Sequence, residues 1–173
     1  AQSVNRLEGC AIAALSEAQR LRECGWDHPI VLLPGFVDTA ELDECRRLGI
    51  DPVIHSPYQL ALMLANPNGI SRVWLKANTG MNRLGLNAEA WHEALTALSA
   101  VPNLAVVAMS HLACADELDS PVTLKQKSQF DSLLADTGAI RKTLAASGGI
   151  LAWPQTHYDI VRPGIMLYGS SPF

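Results

Sequence analysis

The sequence predicts an α/β protein organised around a parallel β-sheet, and three features of the chain support this. Apolar segments of strand length recur about once every 25 residues, and stretches of helical periodicity lie between them. Glycine or proline residues mark most of the boundaries between these segments. The strand-like segments are continuously apolar instead of alternating, which is typical of parallel strands that are buried on both faces.

Seven segments are predicted as strands on this basis. The fourth, RVWLK, ends in a cation, Lys76, and the seventh is interrupted by Arg162, Pro163 and Gly164. In chain order the predicted strands span residues 10–14, 29–33, 52–55, 72–76, 104–109, 142–146 and 160–167.

The helices between these strands are predicted from their start signals and apolar faces. Four starts show a capping residue followed three positions later by glutamate or glutamine. These pairs are Ser16 with Gln19, Asp38 with Glu41, Ser56 with Gln59, and Thr123 with Gln126. A further helix is predicted over residues 87–100, because Trp91, Ala94, Leu95 and Leu98 recur at helical spacing.

Two architectures fit a chain of alternating strands and helices: an open doubly wound sheet and a (β/α)8 barrel. No GxGxxG pattern follows the first strand, which weakens a dinucleotide-binding interpretation. The number of strands favours the barrel. However, a complete barrel has eight strands and typically about 250 residues, so the chain is one predicted strand short.

Composition excludes several classes of function. A formal net charge of −4 without a run of basic residues argues against nucleic-acid binding. The sequence has neither an apolar run of about 18 residues that would span a membrane nor a signal-peptide pattern at its start. Cys10, Cys24, Cys45 and Cys114 are far apart and form no CxxC motif, so reduced, mostly buried thiols of a cytoplasmic protein are expected.

Polar residues at the carboxyl ends of the predicted strands are the candidate site residues, because α/β barrels carry their chemistry there. They are His55, Lys76, His111, Ser147 and Arg162. This set is cationic and hydroxylic, and it lacks the pair of carboxylates that a glycosidase requires. The histidines have no carboxylate neighbours at ligand spacing, so no metal site is expected.

A phosphate site is predicted at the last two strands. Ser147-Gly148-Gly149 and Pro163-Gly164-Ile165 follow them, and many barrels bind phosphate there through backbone N–H groups. The stretch WLKANTGMNRLGL adds a second cation, Arg83, seven residues after Lys76. These features together favour an anionic ligand such as a phosphorylated cofactor.

Three motifs resemble those of one family, the bacterial alanine racemases. KANTGMNRLG resembles their K-x-D-T-G-M-x-R-L-G segment, and MSHLACADE resembles their S-H-F-A-x-A-D-E segment. LAASGGILAWPQTHYDIVRPGIMLYGSSP resembles the region of their seventh and eighth barrel strands. The resemblance extends from Gly9 to Phe173 and implies a fold-type III pyridoxal 5'-phosphate (PLP) enzyme.

That resemblance implies a particular domain organisation. Residues 1–173 would form the N-terminal barrel domain, truncated at both ends, with barrel strands two to eight present. The first strand and a C-terminal β domain would lie outside the chain. The family works as a head-to-tail homodimer, so a homodimeric, cytoplasmic parent enzyme is expected, with no nucleic-acid or membrane partner.

The resemblance also implies roles for individual residues. Arg162 would bind the pyridine nitrogen of PLP, and His111 would orient Arg162. Ser147, with the backbone of Gly164 and Ile165, would bind the phosphate. These assignments come from the matching positions of the family motifs.

Two further roles concern the fourth strand and its loop. Arg83 would contact the phenolic oxygen of PLP and lie near the substrate carboxylate, and Lys76 is a candidate for carbamylation. Asn78 stands where the family motif has aspartate. The lysine that binds PLP covalently and the tyrosine that acts as second base are both expected outside this chain.

The function implied is the PLP-dependent interconversion of L-alanine and D-alanine, for cell-wall synthesis, with the isolated chain inactive. One alternative is a racemase of another small amino acid such as serine, and another is a non-catalytic PLP-binding barrel protein. Tyr168 is predicted to pack in the core. The remaining histidines, His28, His55, His92 and His157, are predicted to be surface or loop residues.

Overall fold

The computed structural model describes residues 7–173, and these contain one sheet of seven strands. Every strand is parallel to its neighbours, and strands adjacent in space are consecutive in sequence. The strands are β1 (Cys10–Ile12), β2 (Ile30–Leu32), β3 (Asp51–Ile54), β4 (Arg72–Lys76), β5 (Ala105–Met109), β6 (Arg141–Ala146) and β7 (Ile160–Arg162).

Helices connect successive strands. They are α1 (Leu15–Glu23), α2 (Thr39–Leu48), α3 (Pro57–Ala65), α4 (Ala88–Ser99), α5 (Val122–Leu134) and α6 (Ser147–Ala152). Two short 3₁₀ turns, Pro154–Thr156 and Ile165–Tyr168, flank β7. Within residues 7–173, none of the helices is long and apolar enough to cross a membrane.

The strand order decides between the two predicted architectures. A doubly wound sheet reverses its strand order at a switch point, whereas this order runs from β1 to β7 without reversal. Right-handed crossovers in one direction place all the helices on one face, so the sheet curls into a nearly closed barrel. An ion pair of 2.8 Å between Glu8, just before β1, and Arg141, which begins β6, links two distant parts of the chain at the amino end of the strands. The prediction of a seven-stranded, incomplete (β/α)8 barrel is confirmed.

The barrel interior contains a cluster of apolar side chains, most of them from the strands. Val31, Val53, Trp74, Val107 and Met109 form this cluster, and Ile160 packs against it. The other face of the strands packs against the helices in a larger core. Because side chains alternate between the faces of a strand, the residue two positions beyond an interior residue also points inward.

Two of the four predicted capping pairs are confirmed and two are wrong. The side chains of Asp38 and Ser56 accept hydrogen bonds from Glu41 N and Gln59 N at the starts of α2 and α3. By contrast, α1 begins at Leu15, and the side chain that caps it is Glu17, which accepts from the N–H groups of the two preceding alanines. Ser16 therefore lies inside the helix.

The predicted capping pair of Thr123 and Gln126 is wrong for a different reason. Helix α5 begins after Pro121, so both residues lie in its first turns. Thr123 Oγ1 donates to the carbonyl of Cys114 at 3.1 Å, and Gln126 donates to the carbonyl of His111 in the loop after β5. Both side chains are buried and fasten α5 to the barrel instead of capping it.

Two other expectations are corrected by burial. Tyr168 is 87% exposed and does not pack in the core. All four cysteines are free thiols as expected, but only Cys45 is buried. Ser147, directly after β6, begins the short helix α6.

Candidate active site

Three of the predicted site residues meet inside the carboxyl end of the barrel. Lys76 is the last residue of β4 and Arg162 the last residue of β7, and His111 lies two residues beyond β5. By alternation they follow the interior residues Trp74, Ile160 and Met109. The fold therefore places two cations and one imidazole together at the carboxyl end of the barrel, which we call the barrel mouth.

Arg162 is held by three acceptors, two on β6 and one just after β5. Its guanidinium donates to Thr143 Oγ1, to the carbonyl of Ser110 at 2.7 Å and to the carbonyl of Leu144 at 3.1 Å. Burial lowers the pKa of Arg162 to about 10, so the side chain remains a cation at neutral pH. These hydrogen bonds together fix the orientation of the guanidinium group.

His111 is neutral beside this cation. Burial, followed by the charges of Arg162, Lys76 and Arg83, lowers the pKa of His111 to about 4. Arg162 Nη2 lies 3.4 Å from His111 Nδ1. Because a guanidinium has only donors, Nδ1 must accept this bond and the ring proton must lie on Nε2.

Lys76 is buried in the same positive environment. Only 6% of the residue is exposed. Burial, with the nearby charges of Arg83 and Arg162, lowers the pKa of Lys76 to about 8. The position of Lys76 therefore disfavours the charged form of its side chain, and a sizeable fraction is neutral slightly above neutral pH.

The loop that carries Arg83 is closed on itself. Asn78 N donates to Leu86 O at 2.8 Å and Leu86 N donates to Lys76 O at 2.9 Å, so the loop returns to the end of β4. Asn78 Oδ1 accepts from the N–H groups of Gly80 and Asn82 at 3.0 and 3.1 Å. Asn78 thus organises the turn that presents the exposed side chain of Arg83.

The residues that were predicted to bind phosphate also lie together. Ser147 is 4% exposed, and its Oγ accepts from Gly164 N at 3.0 Å and from Met166 N at 3.3 Å. Ile165 lies between these two residues in the chain. A Cβ added to Gly164 would lie 3.9 Å from Ser147 Oγ, so the absence of a side chain keeps this approach open. A hydroxyl that accepts two N–H bonds still has its own proton to donate to an anion.

Three buried polar residues behind the site were missed by sequence reasoning. Thr79, Ser110 and Gln126 are at most 5% exposed and form a hydrogen-bonded chain. Gln126 shares a helical face with the buried residue Phe130, four positions later. That spacing predicts burial, whereas the capping interpretation assigned Gln126 only to the start of the helix.

The other candidates lie outside the cluster. His55 Nε2 bonds to the carbonyl of Pro34 at 2.9 Å and lies 3.2 Å from the side chain of Gln59. A groove of about 350 Å³ between α4 and α5 includes Thr79 and His92 but not Lys76, His111, Ser147 or Arg162. In residues 7–173 no three histidine, cysteine, aspartate or glutamate side chains are grouped to hold a metal ion.

Comparison with known proteins gives a consistent result. The model of the family "Alanine racemase, N-terminal domain" matches residues 1–172. The alanine racemase of Vibrio parahaemolyticus is 43% identical over 176 residues, which cover all of this chain and 49% of that protein. This chain therefore spans about half the length of the curated relatives it matches.

Solved structures agree with the sequence comparison. The biosynthetic alanine racemase of Pseudomonas aeruginosa superposes with a TM-score of 0.89 at 36% identity, covering 96% of this chain and 47% of that chain. The alanine racemase of Bartonella henselae with covalently bound pyridoxal phosphate superposes with a TM-score of 0.85 at 26% identity, covering 95% and 49%. The chain belongs to the alanine racemase N-terminal domain family.

Proposed function

We propose that this chain forms the cofactor-holding barrel of a PLP-dependent alanine racemase. The observation that carries the proposal is the fixed cation Arg162 beside a neutral His111, in a mouth that also contains Lys76. Such a mouth suits a small anionic ligand, and the family to which the chain belongs contains racemases of alanine.

The residues present fit PLP. Its phosphate carries up to two negative charges, and Ser147 with the open approach beside Gly164 supplies an uncrowded hydroxyl donor for it. The cations around Lys76 balance that charge. When bound, PLP supplies the electron sink that makes the Cα proton of an amino acid removable.

Each protein residue then has a defined task. Arg162 would face the pyridine nitrogen, and because an arginine keeps its proton, that nitrogen would stay unprotonated. This would weaken PLP as an electron sink and so limit side reactions. His111, neutral and bonded through Nδ1, would hold Arg162 in that orientation. Arg83 would lie near the phenolic oxygen and the substrate carboxylate.

Carbamylation of Lys76 forms part of the same proposal. The ammonium would first lose one proton, and the neutral amine would then form an N–C bond with carbon dioxide and release a second proton. The two steps together would convert a cation into an anion. Its pKa of about 8 supplies the neutral amine at mildly alkaline pH. The resulting carbamate would pair with Arg83, whereas a free ammonium repels that residue.

The proposal places the chain in a larger enzyme. Residues 1–173 would be part of the barrel domain, and the lysine and tyrosine that remove and deliver the Cα proton would lie elsewhere in the protein. The isolated chain would therefore be inactive. We further infer a cytoplasmic homodimer that makes D-alanine for the cell wall, on the strength of the family relationship.

The decisive experiment uses the protein expressed from the native reading frame that contains these residues. With PLP and L-alanine in deuterium oxide, we expect loss of the α-proton signal together with formation of D-alanine. Binding of PLP without exchange would replace the proposal by a non-catalytic PLP-binding barrel. Faster exchange of L-serine than of L-alanine would instead assign a serine racemase.

A further inference from the structure

Gln126 lies on a helix outside the barrel wall, yet its side chain contacts two loops of the barrel mouth. Its Oε1 accepts from Ala113 N at 2.8 Å, and its Nε2 donates to the carbonyl of His111 at 3.0 Å. Nε2 also lies 3.4 Å from Thr79 Oγ1. Only 1% of the residue is exposed, so these partners replace water completely.

The hydrogen-bonded series from Gln126 through Thr79 to Ser110 has only one consistent arrangement of donors and acceptors. Ser110 Oγ lies 2.9 Å from the carbonyl of Ala77, which can only accept, so Ser110 donates its proton there. Thr79 Oγ1, 2.8 Å from Ser110 Oγ, must then be the donor of that bond. Thr79 Oγ1 is left to accept from Gln126. The amide of Gln126 is therefore fixed in one orientation.

Both ends of this hydrogen-bonded series lie next to the site formed by Lys76, His111 and Arg162. The acceptor Ala77 directly follows Lys76 at the end of β4. The carbonyl of Ser110 accepts from Arg162 at 2.7 Å, and Gln126 holds the carbonyl of His111, whose ring accepts from the same arginine. Gln126 thus holds the backbone of His111 directly and that of Ala77 through Thr79 and Ser110. The side chain of Arg162 joins the same network at the carbonyl of Ser110.

We propose that Gln126 is a positioning residue of the active site. Through Thr79 and Ser110 it sets where the His111 ring and the end of β4 lie relative to Arg162. It acts through these protein groups and not on the reacting atoms. Its importance for turnover depends on the proposed function, whereas its effect on His111 can be measured without any turnover.

The test compares Gln126→Leu with Gln129→Leu in the full-length holoenzyme. Gln129 is an exposed residue on the same helix, so the control makes the same chemical change. In Gln126→Leu we expect the pKa of His111, followed by ¹⁵N NMR of labelled histidine, to rise by about one unit as the loop loosens and hydrates. We expect kcat to fall about tenfold with KM for alanine changed less than about threefold. Gln129→Leu should match the parent.

A second variant, Gln126→Glu, tests the donor directly. The glutamate keeps an acceptor for Ala113 N, but it has a donor only when protonated. Its kcat relative to the parent should therefore recover as the pH falls from about 9 to about 6, since burial raises carboxyl pKa values. A merely structural defect would give the same ratio at every pH.

The outcomes separate the possible failures. If Gln126→Leu retains the parent His111 titration and kcat, the positioning role is wrong. If neither parent nor variants racemise alanine, the proposed function fails, while the His111 titration still decides the role of Gln126. Should Gln126→Leu not fold, Thr79→Val, which removes the hydroxyl between Gln126 and Ser110, must raise the pKa of His111 in the same direction or the role is refuted.

Discussion

The guanidinium of Arg162 donates a hydrogen bond of 3.4 Å to Nδ1 of His111, although both groups could carry a positive charge. The pair is stable because the imidazole stays neutral, with a single ring proton, while the guanidinium stays charged. Neutral His111 then acts as an acceptor that orients a cation. The pair is therefore a rigid charged donor at the centre of the barrel mouth.

The first prediction concerns stability at low pH. The pKa of His111 is lowered from 6.5 to about 4 in the folded protein, so between these values the unfolded chain binds the additional proton. This residue's contribution to stability is therefore complete above about pH 6.5 and is lost as the pH falls towards about pH 4. We expect His111→Gln to flatten the pH dependence of the urea midpoint over this window. An unchanged slope would mean that His111 is protonated in the fold.

The second prediction concerns charge coupling in the mouth. Arg162→Gln removes a cation that lowers the pKa of both His111 and Lys76, although burial is the larger cause for each. We expect both pKa values to rise, as measured by NMR titration, and PLP affinity to fall at least about tenfold. Arg141→Gln, at the opposite end of the barrel, is the matched control. It should change neither the two pKa values nor the PLP affinity. Equal effects of both variants would argue against local coupling.

Sequence reasoning located the strands and the strand-end residues, because continuous apolar runs and their termini are local features. It could not identify the polar chain from Gln126 to Ser110, since these residues contact each other across 31 to 47 positions of sequence. The capping pattern at Thr123 was a local signal that tertiary contacts overrode. Asn78 was recognised as a departure from the family motif, but its role in the turn required the loop geometry.

The third prediction concerns the loop that presents Arg83. Gly85 has a φ of +123°, and a Cβ there would lie 2.6 Å from Asn78 N. We expect Gly85→Ala to destabilise the fold by about 3 kcal/mol, because backbone must move in addition to the conformational strain. Gly138→Ala, at a φ of +69° with no atom within 4 Å of the added Cβ, isolates the strain alone and should cost about 1 kcal/mol. Similar losses in thermal denaturation of the two variants would refute the steric argument.

The fourth prediction concerns the amino end of the barrel. Arg22 on α1 donates to the carbonyls of Trp26, His28, Leu48 and Gly49 at 2.7 to 2.9 Å, and so caps the end of α2. We expect Arg22→Met to lower the free energy of unfolding by about 2 kcal/mol, since these carbonyls lose their partners. Exposed Arg20 is on the same helix, and Arg20→Met should change stability by less than about 0.5 kcal/mol.

The last prediction separates function from stability at Lys76. Its pKa is lowered from 10.5 to about 8, so the buried ammonium destabilises the fold at neutral pH, and this penalty disappears as the pH rises from about 8 to about 10.5. We expect Lys76→Met to be more stable by about 2–3 kcal/mol at neutral pH, a gain that vanishes at alkaline pH. Lys125→Met, at an exposed position, should show no such gain.

The same variant tests carbamylation of Lys76 without an activity assay. If Lys76 takes up carbon dioxide, the anion formed next to Arg83 removes the penalty, so the stability gain of Lys76→Met should shrink in bicarbonate buffer compared with decarbonated buffer. Urea unfolding of both proteins in the two buffers measures this difference. An identical gain in both buffers would show that Lys76 remains an uncarbamylated amine.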